Sequence, residues 1–222
     1  MKSRTDIVVL NKDNLAVQIL CAKDKRLSKV IDMVGEIIYK PHTEDGYSFL
    51  VHEIIEQMLS IKSGAKIYGR LEELCDGRIS PTAIAKLSVD EIKSTGTSNS
   101  KANYILGMTK SILDGDLVLE ELQGMSDGEV FKKLTKIRGI GSWTAKMYLL
   151  FVLDRQDILP IEDAAFLQSY KWMYRTDDVS REAVTKKCLK WKPYSSIAAR
   201  YLYRALDMGL TKKQFHLFKN NE

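Results

Sequence analysis

Leu134-Thr135-Lys136-Ile137-Arg138-Gly139-Ile140-Gly141-Ser142-Trp143-Thr144-Ala145-Lys146 is the stretch whose reading decides the fold. The apolar stripe Val130, Leu134 and Ile137 predicts a helix that ends near Ile137. Gly139 and Gly141 allow a tight turn with bare backbone, and a second helix is expected from about Ser142. In a helix–hairpin–helix of this kind the turn points backbone N–H groups outward, and the second helix adds its positive N-terminal end. A DNA phosphate is the natural ligand for such a turn. Lys132, Lys133, Lys136, Arg138 and Lys146 add positive charge around it. A bare Gly-x-Gly is more often a plain corner with a glycine stop. The apolar residue between the glycines, the flanking helices and the local basic charge favour phosphate binding.

Outward from the hairpin the chain is a string of helix signatures. A helical pattern starts at Asn14, places Leu27, Ile31 and Val34 on one face and stops at Gly35. Ile7 to Leu10 reads as a short strand, and 36–46 as a connector. Phe49 to Ile61 has apolar residues at helical spacing, and Trp143 to Leu153 is apolar enough for a buried helix. Ser80-Pro81 places an N-cap before a proline at the first helical position. Ser88-Val-Asp-Glu91 and Ser126-Asp-Gly-Glu129 fit capping boxes. Segments 164–174 and 194–207 complete the set, with Gly209 closing the last. The expected fold is all-α, with about ten helices.

Composition bounds the rest. In 222 residues, 45% are hydrophobic and 28% charged, which argues for a folded domain rather than a disordered chain. The net charge of +5 permits nucleic-acid binding without establishing it. Cys21, Cys75 and Cys188 are too few for a four-cysteine cluster, and their spacing predicts free, mostly buried thiols. No apolar run approaches the ~20 residues of a membrane helix. The opening residues, Met1 to Asp6, lack the apolar stretch of a signal peptide, so the expectation is an intracellular protein. His42, His52 and His216 show no metal-ligand spacing, and the basic run from Lys186 to Lys192 reads as a solvated face.

About 20 residues beyond the hairpin stands Pro160-Ile161-Glu162-Asp163, followed by an apolar helix. Acids in a first helical turn complement the helix dipole and often do nothing else. Taken alone that structural reading prevails, and the place of an acid after a DNA-gripping hairpin adds weight to a functional one. Cleaving an N-glycosidic bond develops positive charge on the sugar, which a fixed carboxylate stabilises while orienting the attacking water.

The sequence resembles the helix–hairpin–helix DNA glycosylase superfamily, and within it the 3-methyladenine DNA glycosylase II family, over roughly residues 15–210. Asp24-Lys-Arg-Leu27, Glu56-Gln57-Met58-Leu59-Ser60, Gly96-Thr-Ser98 with Lys101, the hairpin, Pro160-Ile-Glu-Asp163 and Trp191-Lys-Pro-Tyr194 carry it. The resemblance implies two helical lobes, about 46–153 and about 1–45 with 154–222, flanking a DNA-binding cleft with Asp163 at the lobe junction. Larger members carry an extra N-terminal β domain, which is not expected in the 40-odd residues before Tyr47.

Asp163 matches the catalytic aspartate, and Glu162 stands where the family has a first aspartate. Trp143 occupies the position of the catalytic lysine of the strand-cleaving branch, which implies hydrolysis without a Schiff base. Lys146 is not at that position. Met58 matches the residue wedged into the gap left by a flipped base. Trp143, Tyr203 and Tyr47 are the candidate aromatic pocket for an electron-poor alkylated purine, although core packing accounts equally well for the two tyrosines. Met147 replaces a tyrosine of one branch and leaves the substrate range open. Gly139, Ile140, Gly141, Ser142, Thr144 and Lys146 would bind DNA together with Met58.

The implied protein is a monomer acting on double-stranded DNA with damaged bases, with no membrane association. It needs no catalytic metal or redox cofactor, and a monovalent cation (Na or K) on hairpin carbonyls is allowed. The alternatives are a glycosylase for oxidised or deaminated bases and a non-catalytic helix–hairpin–helix DNA-binding protein.

Overall fold

The computed structural model describes residues 7–41 and 45–218; His42 and the segment Met1 to Asp6 lie outside the described residues. The chain opens with β1 (Val8–Leu10), α1 (Leu15–Lys23), α2 (Lys25–Val34) and β2 (Ile37–Tyr39). Next come α3 (Gly46–Glu56), α4 (Ile61–Leu74), α5 (Pro81–Ile84), α6 (Val89–Ser94), α7 (Asn99–Leu113), α8 (Asp127–Leu134) and α9 (Ser142–Met147). A π-helical turn, Tyr148–Val152, continues α9, and α10 (Ala164–Tyr174), α11 (Arg181–Cys188) and α12 (Ser195–Asp207) follow. The all-α class stands, with twelve α-helices among the described residues. The fold comprises two compact units, one from 1–41 and 154–222, the other from 42–153. No helix among the described residues is long and apolar enough to cross a membrane.

Local chemistry places the boundaries. Ser80 caps α5 ahead of Pro81, and both capping boxes are reciprocal, Ser88 with Glu91 and Ser126 with Glu129. Four boundaries depart from the sequence reading, the first being α8, which ends at Leu134 rather than near Ile137. The helix expected from Asn14 to Gly35 is broken at Asp24, whose extended backbone ends α1 and whose carboxylate caps α2. The expected connector 36–46 contains β2, which pairs antiparallel with β1, Val9 opposite Ile38. A three-residue strand is too short for its alternation to stand out. The helix expected over Phe49–Ile61 starts at Gly46 behind the Asp45 cap and ends at Glu56. The apolar spacing runs on through Leu59 and Ile61 and conceals that break.

In the unit 42–153, α3 is the central helix. It buries Leu50, Val51, Ile54 and Ile55 and packs against α4, α7, α9 and the π-helical turn. Ile105 and Met108 of α7, Val130 and Leu134 of α8, and Leu149 and Leu150 of the π-helical turn complete its core.

In the other unit, α12 packs against α1, α2 and α10, and Tyr201 on it donates to the Leu10 carbonyl of β1 at 2.8 Å. Asp24 is the polar centre, only 3% exposed. Its Oδ1 accepts from the Arg26 and Leu27 amides at the start of α2. Its Oδ2 accepts from the Tyr174 hydroxyl, from Trp191 Nε1 at 3.0 Å and from Lys190 Nζ at 3.0 Å. Burial pushes the Asp24 carboxyl upward, but the Tyr174, Trp191 and Lys190 donors outweigh it and leave the group below the usual carboxylate range. One carboxylate thus joins α2, the end of α10 and the turn after α11. Cys188 is buried beside this cluster, Cys75 is buried in the other unit, and Cys21 is half-buried; all three are free thiols.

A group whose folded pKa is depressed stabilises the fold above its unfolded pKa, and that contribution disappears as pH falls through the folded value. Asp24→Ala strands Tyr174, Trp191 and Lys190 and should cost about 3–5 kcal/mol at neutral pH. Urea unfolding over a pH series should show the gap between wild type and variant narrowing below about pH 4. A gap that stays constant into acid would refute the charge-based account.

Candidate active site

The hairpin is built as the glycines require. Ile137 N–H donates to Leu134 O and Ile140 N–H to Ile137 O, each at 3.0 Å, so the chain leaves α8 in two tight turns. Gly139 sits at φ +96°, and a Cβ there would lie 2.6 Å from the Tyr104 ring and its Cβ. Only glycine fits, on backbone and steric grounds together. Gly141 has φ −91° and open space where a Cβ would point; it opens α9 with no side-chain cap.

The hairpin side chains divide into two sets. Ile140 and Thr144 are buried, so any contact they make with a phosphate is through the backbone, as a turn that presents its N–H groups would have it. Ile140 anchors the turn in the core. Ser142, Trp143 and Lys146 are half-buried, and Lys132, Lys136 and Arg138 are exposed. The Arg138 guanidinium lies over the Tyr104 ring, 5.6 Å from its centroid.

Met58 is fully exposed, at 100%. It stands not on a helix but in a turn closed by the Leu59 amide on Glu56 O at 2.9 Å. Gln57 at φ −47°, ψ 124° and Met58 at φ +61° make this a type II turn, whose third position ordinarily takes glycine. A long apolar side chain is held in solvent on a backbone that disfavours it. The same unit holds Tyr47, buried at 3%, with its hydroxyl 2.6 Å from Thr109 Oγ1. Burial pushes that hydroxyl's pKa well up. Tyr47 is therefore a core residue with a satisfied polar tip, and the pocket assignment for it is corrected.

The other unit holds Asp163 and Tyr203. Asp163 is 9% exposed and is the N-cap of α10, its Oδ1 accepting from Phe166 N–H at 2.7 Å. Glu162 beside it forms an ion pair with Arg181 at 2.7 Å. The two acids therefore have different surroundings. Tyr203 is half-buried on α12. The loop leading to Asp163 is pinned to the start of α12, a helix with no side-chain cap of its own. Asp157 supplies the missing acceptor for the Ser195 hydroxyl at 2.5 Å and amide at 3.3 Å. Ser196 N–H reaches Gln156 O at 3.0 Å, and Ile158 N–H reaches Ser196 Oγ at 2.9 Å. Arg200 ion-pairs with Asp154 at 2.9 Å where the loop begins.

Sequence reasoning assigned no role to Gln57 and none to Asp157. Gln57 donates to the Gly139 carbonyl, 82 residues along the chain, at 2.9 Å. The sequence does not reveal what either residue binds, because their partners are a backbone carbonyl and a helix start. Among the described residues no group of three His, Cys, Asp or Glu side chains is placed to hold a metal ion.

The model of the HhH-GPD superfamily base excision DNA repair protein matches residues 51–194, from the middle of α3 through Asp163 to the start of α12. The chain belongs to that superfamily. A putative DNA-3-methyladenine glycosylase of Bacillus subtilis is 34% identical over 128 residues, which cover 57% of this chain and 45% of the relative, so the match spans under half of that protein. The crystal structure of a Bacillus halodurans DNA-3-methyladenine glycosidase superposes with a TM-score of 0.83 and 32% identity, covering 95% of this chain and 97% of that one. A Schizosaccharomyces pombe 3-methyladenine DNA glycosylase in complex with abasic DNA shares the fold, with a TM-score of 0.78 and 23% identity over 87% of this chain and 97% of that one.

The turn at Met58 has a signed consequence. An L-residue in the left-handed region costs roughly 1–2 kcal/mol, whereas glycine adds roughly 0.5–1 kcal/mol of unfolded-state entropy. Met58→Gly should thus hold or slightly raise the melting temperature, as read by thermal unfolding. A clear drop would mean that Met58 packs against the fold.

Proposed function

We propose that the chain is a base-excision DNA glycosylase that flips alkylated purines, of the 3-methyladenine and 7-methylguanine type, out of double-stranded DNA and removes them by hydrolysis. The observation that carries this reading is the placement of Asp163: it is drawn below the surface and fixed as the N-cap of α10 by the Phe166 amide, while Glu162, just outside the helix, pairs with Arg181. The names of the Bacillus relatives support the substrate class, and the abasic DNA in the Schizosaccharomyces pombe structure supports the partner.

In the proposed mechanism the hairpin amides seat a phosphate and Met58 enters the space of the extruded base. Trp143 offers aromatic surface to that base. The C–N glycosidic bond breaks with its electron pair leaving on the base. A cationic alkylated purine leaves readily, so little general-acid help is required. The Asp163 carboxylate stabilises the positive sugar while water adds to the same carbon and loses a proton. Its Oδ1 accepts the cap bond from Phe166 N–H, which fixes the carboxylate in place. Trp143 stands where a lyase requires an amine, and we take the reaction to stop at an abasic site. We take the protein to act as an intracellular monomer. No catalytic metal is invoked. A sodium or potassium ion at the hairpin would use second lone pairs, since the Ile137, Gly139 and Gly141 carbonyls each already accept a hydrogen bond.

Asp163→Asn preserves the cap but removes the charge. Single-turnover release of 7-methylguanine from duplex DNA should fall about a hundredfold to a thousandfold, with DNA binding retained. Glu162→Gln loses an exposed ion pair worth about 0–1 kcal/mol and should leave the rate near wild type. Equal, small effects of the two variants would make both acids structural. Release of oxidised or deaminated bases in place of alkylated ones would redirect the substrate assignment.

Borohydride added during turnover should trap no protein–DNA adduct. A strong adduct would reveal a Schiff base and overturn the hydrolytic assignment.

A further inference from the structure

Two side chains fasten the turn that carries Met58, one from α7 and one that reaches to the hairpin. Lys101 reaches in from α7, and its Nζ donates to Ile55 O at 2.8 Å and Gln57 O at 2.6 Å. The last carbonyls of a helix have no partner within it, and an ammonium there satisfies them and complements the helix dipole. Burial lowers the Lys101 pKa, in keeping with an ammonium half withdrawn from water. The Gln57 amide then leaves the turn and donates to the Gly139 carbonyl. On α7, Tyr104 lies one helical turn beyond Lys101 and abuts Gly139 itself. A single helix therefore braces both the Met58 turn, through Lys101, and the hairpin, through Tyr104, and Gln57 closes the ring between them.

We propose that Gln57 and Lys101 are positioning residues that fix the Met58 side chain relative to the hairpin, so that phosphate seating and wedge insertion act as one rigid device. This rests on the wedge reading of Met58. A wedge on a turn free to shift would let the base pair re-close, and misplacement by about 1 Å can cost on the order of a hundredfold in a positioned step. The type II turn with a non-glycine third residue needs external bonds to persist, and Lys101 and Gln57 supply them.

The test compares Gln57→Leu, Met58→Ala and the double variant. The probe is a duplex holding one 7-methylguanine beside a fluorescent adenine analogue, whose unstacking reports extrusion in stopped flow. Gln57→Leu removes the donor at a local, half-buried site. It should slow extrusion by about tenfold. The double variant should be no slower than Met58→Ala alone, because Gln57 acts through Met58. Lys101→Met should show the same lack of additivity if it folds. Wild-type extrusion by Gln57→Leu, or losses that multiply in the double variant, would overturn the proposal. If Met58→Ala alone extrudes at the wild-type rate, the wedge reading falls and this inference with it, an outcome that the single variant identifies.

Discussion

The missing side chain at Gly139 is the constraint around which the hairpin unit is arranged. Because residue 139 has no Cβ, the Tyr104 ring lies directly against its backbone. Because its φ is positive, the chain reverses in time for Ile140 to return to the core and for α9 to start at Ser142. The same residue offers its carbonyl to Gln57. An alanine there would have to displace a ring packed on α7 and distort the turn at once, and the ring is not the loose end of a flexible chain. Gly141, two residues on, shows the opposite: neither its φ nor its surroundings demand glycine. Its bareness leaves room at the start of α9, where an approaching phosphate would need it.

In the other unit the organising element is a buried negative charge. Asp24 replaces the water it loses with two backbone amides and three side-chain donors. Such a site is costly unless every oxygen is engaged, and for the same reason it is specific, because only one arrangement of α2, α10 and Trp191 satisfies it. Asp157 repeats the device on a smaller scale by capping α12 from outside and so fixing the loop that ends in Asp163. Both carboxylates serve geometry, and neither is part of the proposed chemistry.

The sequence was most legible where chemistry is local. Caps at Ser80, Ser88 and Ser126, the helix starting after Asp163, and the hairpin glycines all depend on residues within a few positions of one another. It was least legible where a break falls inside a continuous apolar pattern. Asp24 interrupts one helical stripe, and the Gln57–Met58 turn another, without any glycine or proline to mark the spot. The segments that carried the family resemblance prove informative in a further way. Asp24 and Trp191, 167 residues apart, hydrogen-bond to each other, and Gln57, Lys101 and Gly139 form one network. Much of the family signature is thus the internal fastening of the fold. Tyr47 misled because an aromatic ring at the start of a core helix reads alike for a pocket wall and for packing. Its bond to Thr109 decides between them.

The way each acid of the Glu162–Asp163 pair is held bears on what each could do. A carboxylate oriented by a guanidinium, as Glu162 is by Arg181, has much of its field cancelled by its own partner. A carboxylate that accepts from a backbone N–H, as Asp163 does from Phe166, is fixed in place by a dipole. A group that must stabilise a transient cation gains from the second arrangement, because a fixed, low-exposure charge needs no reorganisation when the sugar becomes positive. Capping and catalysis would then be one requirement met by one residue. The helix start supplies the rigidity that a freely rotating surface acid lacks.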